Sequence, residues 1–109
     1  MSSSNSFPLP DVKTMESAFK LALEQDKPIL LDYWQSSFTT SVIGVYKTDT
    51  EDIKILIKNS QNNEEYTSPI EKFYRPSNCA EFIIMTENSI YIVSSSIKKN
   101  KITNMDNFN

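Results

Sequence analysis

The sequence contains no histidine, a single glycine (Gly44) and a single cysteine (Cys79). The first absence removes the side chain that titrates near neutral pH unaided, and with it most general-base and metal-ligand constellations. A lone glycine excludes the glycine-rich loops that cradle phosphates, and a lone cysteine excludes an internal disulfide framework. No apolar run approaches the ~20 residues of a membrane-spanning helix. The Ser/Asn/Pro-rich start has no basic segment followed by an apolar one, so no signal peptide is expected. These absences point away from catalysis, cofactors and metals and towards a binding role in an intracellular setting.

What is present suits one small domain. A chain of 109 residues can bury one core without a covalent staple. The net charge of -3 conceals an asymmetry: six lysines and eleven acids precede Lys72, whereas five basic and three acidic residues follow from it. Lys98, Lys99 and Lys101 form a mildly basic end on an acidic body. A dedicated non-specific nucleic-acid binder presents a stronger positive field than this, so these lysines read first as a solvated strand end and tail.

Residues 1–10 have little to bury and carry Pro8 and Pro10, which interrupt backbone pairing, so they read as a flexible arm. Residues 11–102 read as a single helix-plus-β domain, and 103–109 as a flexible tail. Asp11 can cap a helix in which Met15, Ala18, Phe19, Ala22 and Leu23 recur at helical spacing, ending before Pro28. Met15, Phe19 and Leu23 are expected to dock it. From Ile29 the apolar period changes to two, and strands are expected at 29–34, 41–46, 53–58, 81–86 and 90–94. Within 53–58, Ile53, Ile55 and Ile57 are expected to be buried and Lys54 and Lys58 wet. Glu87 and Asn88 suit a two-residue hairpin loop, with Asn88 able to take a positive φ. Ser68, Pro69 and Glu71 match a helix start, predicting a short helical turn through Tyr74. The expected fold is α+β, a mostly antiparallel five-stranded curled sheet or barrel with one N-terminal amphipathic helix.

Few residues invite chemistry. Asp49, Glu51 and Asp52 share a predicted turn but match no calcium loop, and Glu64 and Glu65 lie in a polar stretch with nothing to separate their pKa values. Cys79 lacks a histidine to activate it and reads as a small hydrophobe. Aromatic residues remain, able to serve as core, interface anchors or stacking platforms. Trp34, Tyr66, Pro69, Ile70, Phe73 and Tyr74 are the candidates for a protein-contact surface.

The runs Glu65-Tyr-Thr-Ser-Pro-Ile70, Thr86-Glu-Asn-Ser-Ile-Tyr-Ile-Val-Ser94 and Lys27-Pro-Ile-Leu-Leu-Asp-Tyr33 resemble small uncharacterised proteins of large nucleocytoplasmic DNA viruses, the mimivirus-like group. The resemblance spans about residues 27–102 and implies a viral protein acting in the infected cytoplasm, a viral factory or the virion interior. It carries no activity and no functional residues. Two readings follow: a noncatalytic interaction module serving as small subunit or adaptor of a larger viral assembly, or a small barrel binding RNA or single-stranded nucleic acid. The second would use Arg75, Lys98, Lys99 and Lys101 for phosphates and an aromatic for stacking.

Overall fold

The computed structural model describes residues 8–59 and 64–102; the expected tail and all but the last three residues of the expected arm lie outside them. Helix α1 (Val12–Gln25) begins where the Asp11 carboxylate accepts the Lys13 N–H at 2.8 Å, satisfying one of the backbone donors that a helix start leaves unpaired. It stops at Asp26, whose N–H still reaches the Ala22 carbonyl and whose left-handed backbone (φ 54°) turns the Lys27 N–H onto the same oxygen at 3.2 Å. Strands β1 (Ile29–Leu30), β2 (Ser41–Lys47), β3 (Asp52–Asn59), β4 (Glu64–Tyr66), β5 (Ile70–Tyr74), β6 (Glu81–Thr86), β7 (Ile90–Ser94) and β8 (Lys98–Ile102) follow.

The strands form two mixed four-stranded sheets, a central one ordered β1-β7-β6-β5 and an outer one ordered β4-β3-β2-β8. This corrects the single five-stranded sheet or barrel. The α+β class and the N-terminal helix stand, but β1 runs parallel to β7 and β8 parallel to β2. The central sheet is packed on both faces. Ile83, Met85, Ile90 and Ile92 meet Ala18 and Trp34 beneath α1, whereas Ile84 and Val93 meet Ile43 and Leu56 of the outer sheet, with Tyr33 and Ile97 completing that core. With no wet face, β6 and β7 need no polar alternation, hence their nearly continuous apolar runs.

Helix α1 docks through the expected Met15, Ala18 and Ala22 but not through Phe19 or Leu23. Thr14 and Ala18 are fully buried, with Leu21, Ala22 and Met15 beside them, while Phe19 and Leu23 are exposed. Small side chains let the helix approach the sheet closely. The Thr14 hydroxyl then donates to the Glu81 carboxylate of β6 at 2.6 Å, supplying a partner for a buried charge.

Three local expectations also change. The strand expected over 29–34 ends at Leu30, because residues 31–38 fold into turns ending in the 3₁₀ turn Ser36–Phe38. This sends Tyr33 into the inter-sheet core and Trp34 beneath α1. In β3, Leu56 faces the central sheet while Ile55 and Ile57 are buried on the other face. Lys58, which shares the Leu56 face, escapes burial by reaching the Asp32 carbonyl (3.1 Å) across the Tyr33 ring. Gly44 leaves room for that outer packing: a Cβ there would lie 2.6 Å from Ile57 Cδ1 and closer still to Ile102 Cδ1. Finally, the helical turn expected over 68–74 is strand β5. The cap residues are engaged elsewhere, Ser68 Oγ accepting from Asn88 Nδ2 (3.4 Å) and Glu71 lying 3.5 Å from Lys27 Nζ.

The Glu87–Asn88 loop does close the β6–β7 hairpin, with the Thr86 N–H donating to the Ser89 carbonyl. Asn88 needs no positive φ. The Thr86 hydroxyl instead accepts the N–H groups of Asn88 and Ser89.

Candidate functional site

β5 is the edge of the central sheet. It pairs with β6 on one side, and among the described residues no strand pairs with the other. A register shift between Ile70 and Lys72 places a bulge at Glu71, and regular pairing resumes from Lys72 to Tyr74. Bulges and charges are the usual protection of an exposed edge. Alternation sends Phe73 to the outer-sheet side and Tyr74 to the α1 side.

The Phe73 ring lies 4.6 Å from that of Phe82 on the adjacent strand, tilted by 55°. Lys99 Nζ of β8 stands 5.7 Å from the Phe73 centroid, and the Arg75 guanidinium carbon 5.8 Å from that of Phe82. The two cations thus flank an aromatic pair, each over a negative ring face. No carboxylate among the described residues comes within 4 Å of either; the ion pairs there are Lys27–Glu71 and Lys58–Glu65. With Glu71 matched by Lys27 and Lys72 exposed on the same strand, the end of β5 is locally basic on an acidic protein. On its other side a cleft of about 470 Å³ opens between β5 and α1, lined by Ser17, Lys20 and Glu24 of the helix and by Tyr74, Arg75 and Ser77, with Ile83 among its apolar walls.

The structure brings Phe73, Arg75 and Lys99 together around Phe82, sets Tyr74 on the opposite, cleft-lining face of β5, and disperses the other candidates. Trp34 is core, only 6% exposed, packed edge-to-face on Phe38 at 5.0 Å and donating its indole N–H to the Pro8 carbonyl at 2.9 Å. That bond ties down the last part of the expected arm. Ile70 is half-buried against the inter-sheet core. Tyr66 and Pro69 line a separate shallow groove with Ile55. Lys98, Lys99 and Lys101 are exposed as expected, but on a strand, and alternation places Lys98 on the opposite face from the other two. They form no continuous basic track. Asp49 and Glu51 belong to the β2–β3 turn, where the Thr48 hydroxyl accepts the Thr50 and Glu51 N–H groups, and Asp52 opens β3 opposite Lys47.

Phe82 and Lys20 escaped the sequence reading. Phe82 becomes identifiable once β5 is known to pair with β6, because Phe73 and Phe82 then share a face. Lys20 reads locally as an ordinary helix-surface residue. The arrangement is suited to recognition: an apolar ring to cover, two cations with no carboxylate partner among the described residues, and a strand edge that no described strand pairs.

No helix among the described residues is long and apolar enough to cross a membrane. Compared with known proteins, no family model matches this chain, and no curated protein or solved structure matches it.

Proposed function

We propose that this chain is a noncatalytic protein-interaction module, a small subunit or adaptor that binds an extended acidic segment of a partner along the outer edge of β5. The supporting observation is the Lys99–Phe73–Phe82–Arg75 stack beside an edge strand with no pairing partner among the described residues. Strand addition to Lys72–Tyr74 supplies main-chain hydrogen bonds. Phe73, 36% exposed, supplies the apolar anchor, and the cations select carboxylates through complementary charge. The viral setting is part of this proposal only through the sequence resemblance.

The nucleic-acid reading ranks second on geometry. With Lys98 on the opposite face, the surface holds few cations in line, enough for about two or three phosphates.

The test is selection from a displayed library of random peptides. Acidic, extended peptides are expected to enrich, with binding falling about tenfold or more in Phe73→Ala, as for an interface anchor, and holding in Lys98→Ala. A selection without acidic enrichment, or equal binding by Phe73→Ala, rejects the proposal.

A further inference from the structure

Helix α1 carries a second apolar stripe that the fold does not use. Val12, Phe19 and Leu23 lie within about 40° of one another around the helix axis, and about 150° from the centre of the Thr14–Ala18–Leu21 face buried on the sheet. They are 74%, 55% and 84% exposed, and Leu9 just before the helix is exposed as well. Apolar residues at such a spacing on an already docked helix are unusual for a wholly solvated face. Beside the stripe run Lys13, Glu16, Lys20 and Glu24, alternating in sign, and no ion pair among the described residues engages them.

We infer that this stripe is the interface for a second copy of the chain, with the two α1 helices packed antiparallel about a two-fold axis near Phe19. The charge order selects this occupant. In an antiparallel pair, Lys13 stands level with Glu24 of the second copy and Glu16 with its Lys20, so opposite charges meet along one flank of the contact. Val12 then approaches Leu23 of the second copy, and the two Phe19 rings meet beside the axis. A parallel pair would place the two charged flanks on opposite sides of the contact, where neither meets the other. An interface generated by a two-fold axis must be self-complementary in this sense, and the same pattern offers a differently charged helix no such match.

Sedimentation of the full chain over a range of concentrations tests this. A monomer–dimer equilibrium is expected, and Phe19→Asp, which alters a side chain already exposed in the monomer, abolishes it while the circular dichroism spectrum stays that of the wild type. Glu16→Lys weakens dimerisation about tenfold by setting like charges against each other, and adding Lys20→Glu to it restores the wild-type constant. A wild-type chain that stays monomeric up to millimolar concentration overturns the inference, as does a dimer indifferent to Phe19→Asp. A double charge swap no better than Glu16→Lys overturns the antiparallel pairing. Phe19 lies away from the β5 stack, so a Phe19→Asp monomer that still binds the selected peptides separates this result from the fate of the β5 proposal.

Discussion

The two sheets solve burial differently. In the central sheet, β6 and β7 lie between α1 and the outer sheet, so Ile83, Ile84, Met85, Ile90, Ile92 and Val93 are all buried whichever way they point. The outer sheet meets the central one through fewer side chains, chiefly Ile43 and Leu56, and its β8 edge is nearly all lysine and asparagine. The central sheet supplies the platform, and the proposed recognition surface lies where its β5 edge comes up against the β8 edge of the outer sheet, through Phe73 and Lys99.

Core truncation is the sharpest way to break this contrast. Ile84→Ala should cost about 2–5 kcal/mol by leaving a cavity between the sheets, whereas Ile102→Ala, at the half-buried end of β8, should cost about 1 kcal/mol. Urea denaturation measures both, and equal costs would mean the outer edge is as integral as the centre. Next in size is the tie between α1 and β6. Thr14→Val keeps the shape but removes the donor from the buried Glu81 carboxylate, for an expected loss of about 1–3 kcal/mol; no loss would mean that Glu81 has another source of solvation.

A smaller effect, silent at neutral pH, probes the inter-sheet core itself. Burial, helped by the neighbouring Tyr91, Glu65 and Asp32, pushes the Tyr33 phenol from its ordinary 10 up to about 12. The unfolded chain therefore loses this proton first, and the stabilisation is complete below pH 10 and is lost as pH rises from there through about 12. Tyr91 is raised as well, by burial, against a lowering hydrogen bond from Ser89. Denaturation midpoints followed into alkali should fall in the wild type and fall less steeply in Tyr33→Phe. Parallel curves would place Tyr33 in water.

The same contrast explains what the sequence disclosed. Helix α1, the positions of β2, β3, β6 and β7, and the Glu87–Asn88 loop were legible because each has a strong local signal: a cap, a period or a turn residue. β5 was not. Ser68-Pro69-x-Glu71 is locally a helix start, and only pairing with β6 and the Lys27–Glu71 contact, formed across the fold, override it. β8 was hidden for the opposite reason, since an edge strand guarded by lysines has no apolar alternation to reveal it. Trp34 was a surface candidate because nothing local in the sequence shows that the chain turns after Leu30 and carries its ring beneath α1. Of the site, Phe73, Arg75 and Lys99 were named from the sequence, but under two different readings, and their meeting depends on a strand pairing that was not foreseen.

The most direct measurement is the set of backbone amide shifts in an NMR titration of the full chain with a selected acidic peptide, repeated with a single-stranded oligonucleotide. The account predicts that the peptide perturbs Lys72–Arg75, Phe82 and Lys99 and that Phe73→Ala removes the effect. It is contradicted if the peptide leaves β5 unchanged while the oligonucleotide binds at physiological salt through Lys98, Lys99 and Lys101.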